Sequence, residues 1–249
     1  MDTDELKKLL DRFKNGSVTL DDTLQRLRQL PYEDLGFAKV DHHRAMRSGF
    51  PEVVFCQGKT VDQVVQIFQS LEKNTDRILL TRAAPEYYEA IKAIHPEAQY
   101  NELGRIIYFN GKPPQDSGYV PIICAGTADI PVAEEAFITA QVCGANPERL
   151  FDVGVAGVHR LLDHIEHIQR ATCIVCIAGM EGALPSVVGG LAPCPVIAVP
   201  TSVGYGTHLN GLVPLFGMLN SCASTVTVVN IDNGFSAGYI AAMIARNSK

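Results

Sequence analysis

The pattern of apolar and polar positions changes twice along the chain. Over the first thirty residues the period is helical. Leu6, Leu9, Leu10 and Phe13 share one face of "DELKKLLDRF", "NGS" turns the chain, and "TLDDTLQRLRQL" resumes it. Thr19 with Asp22 forms the capping pair of that second helix. Short apolar runs then alternate with amphipathic ones. "LGFAKV" reads as a strand, "DHHRAMRSG" as a basic loop and "EVVFC" as a second strand. "TVDQVVQIFQSLEKN" is a helix capped by Thr60; "RILLT", "PEYYEAIKAIH" and "GRIIYFN" follow as strand, helix and strand. "GKPPQDSG" has the composition of a linker, so a domain boundary is expected there, between 1–115 and 116–249.

Beyond the linker one unit recurs: a continuous apolar strand, a glycine-containing turn, then a helix. The five units begin at "YVPIICAGTAD", "LFDVGVAGVHR", "TCIVCIAGMEG", "CPVIAVPTSVG" and "TVTVVNIDNG". "GVHRLLDHIEHIQR" reads as one helix carrying His159, His164 and His167. Uniformly apolar strands alternating with helices predict a parallel sheet covered on both faces. The expected fold is α/β: a three-layer, doubly wound C-terminal domain behind a smaller N-terminal α/β domain. Ligands of such folds sit at the carboxyl ends of the strands. The turns to inspect are therefore "AGTAD", "VAGVHR", "AGMEGALP", "PTSVGYGTHLNG" and "NIDNG".

Charge narrows the function classes. A net charge of −6 gives no electrostatic case for nucleic acid or an anionic membrane. The charged start and the lack of an apolar run of about 18 residues argue against a signal peptide or a membrane span. Seven cysteines, several inside apolar strands, suit reduced thiols in a cytoplasm. From Gly182 to Ile231 there is no Asp, Glu, Lys or Arg. So long an uncharged stretch, broken by Pro and Gly, predicts burial between subunits of a homo-oligomer.

Few residues stand out chemically. Gly126, Thr127 and Asp129 lie between a strand and a helix start, where an anion can be held; taken alone, an ordinary N-cap, with Thr127 or Asp129 capping the helix, is the better explanation. Glu181 sits among small residues in "AGMEGALP", placed either for proton transfer from a partly desolvated turn or as a first-turn helix acid. His159 and Arg160 follow the second strand, and a packed histidine beside a surface ion pair is the plain alternative. No zinc-ligand spacing and no Ser-His-Asp elbow is present. Core packing is the default for Cys56, Cys124, Cys143, Cys173, Cys176 and Cys194. Cys222 differs, lying in the small, polar segment "NSCAS" between a helix and a strand.

"CIAGMEGALPSVVGGLAPCPVIAVPTSV" and "NGFSAGYIAAMIA" together resemble the aminoimidazole ribonucleotide carboxylases and mutases of purine synthesis. "GTAD" is similar to their nucleotide loop and "AGVHR" to their histidine-arginine turn; this covers about residues 119–246. Those enzymes lack the first 110 residues and a cysteine at the position of Cys222. Both features, with "DHHRAMRSGFPEVVFCQGKT", "SVGYGTHLNG" and "LNSCA", resemble the pyridinium-3,5-biscarboxylic acid mononucleotide synthase family over the whole chain.

The resemblance implies carboxylation of the ring of nicotinic acid adenine dinucleotide with release of AMP, carbon dioxide or bicarbonate being the co-substrate. It assigns Cys222 as nucleophile, Glu181 and His159 to proton transfer, and Asp129 to ribose hydroxyls. Gly126, Thr127 and Arg160 would hold phosphate, Gly179 and Gly182 the close approach of the ring, and His208 and Asn210 the rest of the pocket. Arg44 and Arg47 would reach the site from the N-terminal domain. A loosely bound Mg²⁺ is expected beside the phosphoanhydride, and an octamer is implied by the resemblance alone. The rival functions are a purine-type carboxylase or mutase and a nucleotide-binding assembly protein without catalysis.

Overall fold

A computed structural model describes residues 3–28, 32–109 and 117–248. The expected domain boundary falls at 111–116, outside the described residues. The chain divides into two compact units, Met1–Tyr100 with Ile107–Asn110, and Asn101–Ile106 with Gly111–Lys249.

The first unit opens with helices α1 (Thr3–Lys14) and α2 (Leu20–Arg28). Thr19 receives the Asp22 amide at 3.1 Å and donates to its carboxylate at 2.7 Å, the capping pair expected of the second helix. A small hairpin, β1 (Glu33–Asp34) and β2 (Lys39–Val40), leads into α3 (Arg44–Ser48). The sequence predicts a basic loop here. A turn of helix forms instead because Asp41 stands ahead of it, accepting from the His43 amide at 3.0 Å and from Arg47 at 2.5 Å. Gly49, at φ 73°, ends it in the left-handed region.

A mixed sheet of order β3-β4-β6-β5 follows: β3 (Val54–Phe55), β4 (Leu79–Thr81), β5 (Gln99–Asn101) and β6 (Ile106–Tyr108). Helices α4 (Val61–Glu72) and α5 (Pro85–Ile94) accompany it, α4 under the capping box of Thr60 and Gln63. Phe68, Leu71, Leu80, Ile91 and Ile107 fill the core of this unit.

In the second unit β7 (Tyr119–Cys124), β8 (Asn146–Leu150), β9 (Ile174–Ala178), β10 (Val196–Pro200) and β11 (Val226–Val228) lie in the order β11-β10-β9-β7-β8, all parallel. Every residue of β9 and β10 is buried, which is why their sequences read as unbroken apolar runs. α6 (Ile130–Val142) and α11 (Gly234–Asn247) pack together on one face. Gly234 and Gly238 permit that contact: a Cβ at either would fall 2.3 Å from a carbonyl oxygen of α6. The other face carries α7 (Val158–Leu162), α8 (Ile165–Gln169), α9 (Leu184–Leu191) and α10 (Leu212–Leu219), joined through Leu161, Ile168, Leu184, Val188 and Met218.

Two elements of this second unit differ from expectation. The edge strand β8 starts at Asn146, before the predicted "LFDVG", because it pairs only with β7 and need not be apolar throughout. The histidine-bearing helix is two helices. At Asp163–His164 the hydrogen bonds tighten to three-residue spacing, His164 to Leu161 and His167 to His164, both 3.0 Å. No helix among the described residues is long and apolar enough to cross a membrane.

Candidate active site

The sheet reverses direction of growth at β7 and β9, so the crevice at the carboxyl ends of these two strands is the topological switch point. Backbone strain concentrates at this rim. Of the seven non-glycine residues with positive φ among the described residues, five, Asp152, Met180, Leu209, Asn210 and Asp232, lie in the turns that leave the sheet's carboxyl edge.

Asp129 ties three of those turns together. Its side chain does not cap α6. It turns inward instead, accepting the Gly126 amide at 3.0 Å and the Thr201 hydroxyl at 2.7 Å, and it contacts the Gly179 amide as well. Burial holds its carboxyl above the usual carboxylate range, against the lowering effect of these donors. A Cβ on Gly179 would sit 2.2 Å from the Val203 carbonyl, and the Met180 amide donates to that same oxygen at 3.0 Å. The "AGMEG" turn is thereby locked against the turn after β10. Ser202 in turn donates to Asp232 at 2.8 Å. On the other side Gly154 packs on the Ala125 carbonyl, carrying the Arg160–Asp152 ion pair (2.8 Å) beside the "AGTAD" turn.

Glu181 is exposed and lies outside α9, so it is neither a first-turn helix acid nor desolvated within one chain. α10 rests on its turn. A Cβ on Gly217 would meet the Glu181 carbonyl at 2.7 Å, and Gly182, at φ 71°, abuts Pro214. The segment after α10 returns to α9 through the Ser221–Ser186 hydrogen bond of 2.8 Å. Cys222, the next residue, is exposed, while the other six cysteines are buried. Burial pushes the thiols of Cys56, Cys124 and Cys173 up to about 12 and that of Cys194 to about 11, which leaves them inert.

Comparison with known proteins agrees with this arrangement. Residues 119–249 match the family described as AIR carboxylase, and residues 32–112 match the LarB/PurE-like N-terminal domain. The chain is a LarB-type member of the AIR carboxylase family. An uncharacterized protein of Methanocaldococcus jannaschii is 37% identical over 97% of both chains.

The AIR carboxylase domain brings most of the predicted residues to one rim: Gly126, Thr127, Asp129, His159, Arg160, Gly179, Glu181, Gly182, His208 and Asn210 all lie in turns or first helical turns after a strand's carboxyl end. Thr127 and His159 are exposed, and among the described residues their side chains have no hydrogen-bond partner. Arg44 and Arg47 belong to the first unit, where Arg47 is held by Asp41.

Three rim residues, Thr201, Asp152 and Asp232, carry structural bonds that motif inspection passed over. Asp232 could have been found as the carboxylate that ends the uncharged stretch. Among the described residues no three His, Cys, Asp or Glu side chains gather to hold a metal, and Asp129, Asp152 and Asp232 already have partners. A Mg²⁺ ion at this rim would therefore be held chiefly by phosphate oxygens of a substrate and water.

Proposed function

We propose that this AIR carboxylase-family enzyme carboxylates the pyridinium ring of nicotinic acid adenine dinucleotide and hydrolyses its phosphoanhydride. The products are pyridinium-3,5-biscarboxylic acid mononucleotide and AMP. The observation that carries this reading is Cys222: one exposed thiol out of seven, on a segment anchored to the helix that the Glu181 turn opens.

A pyridinium ring and carbon dioxide are both electrophiles and do not combine directly. Addition of the Cys222 thiolate to the ring forms a C–S bond and leaves an enamine-like dihydropyridine. That carbon nucleophile bonds to carbon dioxide. Loss of the ring proton to Glu181 or His159 and departure of the thiolate then restore the aromatic cation. An aminoimidazole is electron-rich already and needs no such thiol, which is why the purine-type reaction is the weaker reading. The uncharged stretch supports a homo-oligomer as the working form.

Mass spectrometry of the protein incubated with nicotinic acid adenine dinucleotide, Mg²⁺ and bicarbonate tests the proposal. The dicarboxylated mononucleotide and AMP should appear, and Cys222→Ala should reduce their formation by at least about 10³-fold. An unchanged dinucleotide, with aminoimidazole ribotide consumed instead, would establish the purine-type reaction.

A further inference from the structure

The five turns that leave the sheet's carboxyl edge, with the helical turns that follow them, carry four carboxylates, Asp129, Asp152, Glu181 and Asp232, and one Lys or Arg, Arg160. A rim so short of cations can hold few phosphate charges. Asp129 is turned inward on Gly126 and Thr201, and Asp232 accepts the Ser202 amide. Asp152 is the carboxylate that pairs with the cation: its Oδ2 lies 2.8 Å from Arg160 Nη1.

The backbone sets both members of this pair in place. Asp152 is in the left-handed region (φ 60°), which is unfavourable for a residue with a Cβ. The next two residues anchor it. The Val153 amide donates to the Cys124 carbonyl at 3.1 Å, and a Cβ on Gly154 would fall 2.8 Å from the Ala125 carbonyl. Arg160 lies back over its own turn, where a Cβ on Gly157 would meet Nε at 2.8 Å and Nη2 at 3.2 Å. An ordinary surface ion pair needs neither a strained aspartate nor a glycine under the guanidinium, and strain of this kind collects at functional sites. The two side chains are 40% and 51% exposed, and among the described residues Asp152 is the ionic partner of Arg160. A guanidinium has five N–H groups, so donors remain for a ligand.

Each phosphate within a dinucleotide's phosphoanhydride carries one negative charge, whereas the terminal phosphate of a mononucleotide, with a second pKa of about 6, carries nearly two at neutral pH. Arg160 offset by Asp152 offers N–H donors without a net charge. We propose that Asp152 is a specificity-determining residue: paired with Arg160, it makes the rim accept the singly charged phosphate of a dinucleotide and disfavour the doubly charged phosphate of the mononucleotide formed from it. This rests on the dinucleotide reading above. It adds a reason for the product to leave. Cleavage of the phosphoanhydride P–O bond by water gives each product phosphate a second ionisable oxygen, whose proton goes to solvent and whose charge Asp152 repels.

The test is calorimetric binding to the full chain, at about pH 7.5 and without Mg²⁺ or bicarbonate, of nicotinic acid mononucleotide and of its phosphate methyl ester. These two ligands differ by about one phosphate charge; the dinucleotide itself is measured beside them. The wild-type protein should bind the ester more tightly than the mononucleotide. Asp152→Asn keeps the side chain's shape and its tolerance of positive φ, and removes the charge. Loss of one negative charge favours a dianion twice as much as a monoanion. The ratio of the two dissociation constants should therefore move about 5-fold toward the mononucleotide, the effect of one charge pair about 4 Å apart in water. Asp152→Glu, which keeps the charge, should preserve the wild-type order.

If Asp152→Asn weakens both ligands by the same factor, the carboxylate only orients Arg160, and the proposal is overturned while the dinucleotide reading stands. A ratio that Asp152→Asn leaves unmoved, a wild-type preference for the mononucleotide, or no binding of the ester has the same consequence. Absence of binding by the dinucleotide overturns both.

Discussion

At Cys222 and Gly179 single atoms decide what the chain can do. Cys222 is exposed where six other thiols are shut away, five of them with ionisation suppressed by burial. Iodoacetamide on the native protein should therefore label one cysteine, identified by peptide mapping as Cys222, and all seven after denaturation. Labelling of a strand cysteine first would remove the basis for its assignment as nucleophile. Gly179 makes the opposite point, through an atom that must be absent. Gly179→Ala would drive a methyl group into the Val203 carbonyl and the Thr201 hydroxyl, 2.2 and 2.7 Å away, which are both held by other bonds. Thermal unfolding should register a loss of about 2–4 kcal/mol, well beyond an ordinary surface glycine.

At the scale of elements, helix propensity and packing make contrary predictions for α10. Replacing an exposed helical glycine with alanine normally stabilises by about 0.5–1 kcal/mol. Gly217 is exposed, yet its Cβ would press on the Glu181 carbonyl at 2.7 Å, so Gly217→Ala should destabilise the protein and lower turnover through the displaced Glu181 turn. A rise in melting temperature with unchanged activity would show that α10 does not hold that turn.

In the first unit His42 is buried beside Glu33, Ser70 and Asn74. Burial lowers its pKa below 6.5, with Glu33 acting in the opposite direction. The unfolded chain therefore binds more protons just below that value, and the stability contributed by neutral His42 is present above it and lost as pH falls. Melting followed from about pH 7.5 to about pH 5.5 should show this decline, and His42→Gln should flatten it.

Elements fixed by local chemistry were legible: the caps at Thr19 and Thr60, and the doubly covered strands β9 and β10, whose burial imposes an unbroken apolar pattern. The edge strand β8, the turn of helix at 44–48 and the break at His164 were not, because pairing partners and tertiary packing set them. The site divides in the same way. Its turns follow from the strand-turn-helix rhythm. The inward rotation of Asp129 and the exposure of Glu181 depend on neighbours distant in sequence.

For the whole molecule, the fifty-residue stretch without a charge meets an exposed apolar surface. Leu212, Phe216 and Leu219 follow the helical i, i+4, i+7 spacing of one stripe of α10 at 40%, 57% and 60% exposure, and Tyr205 and Leu209 of the preceding turn reach 80% and 62%. Each large side chain left in water forgoes about 1.5–3 kcal/mol of burial, and a second copy of the chain could recover that for several of them at once. We expect a homo-oligomer in solution. Phe216→Asp with Leu219→Asp should shift light-scattering mass toward smaller species, since a carboxylate at an apolar contact is desolvated without a partner. Both positions are exposed in the single chain, so circular dichroism should change little. Because α10 also rests on the Glu181 turn, loss of assembly and loss of turnover should occur together. A wild-type chain that sediments as a monomer at about 10 μM, well above the dissociation constants of stable assemblies, would instead mean that this apolar face serves something other than a second copy.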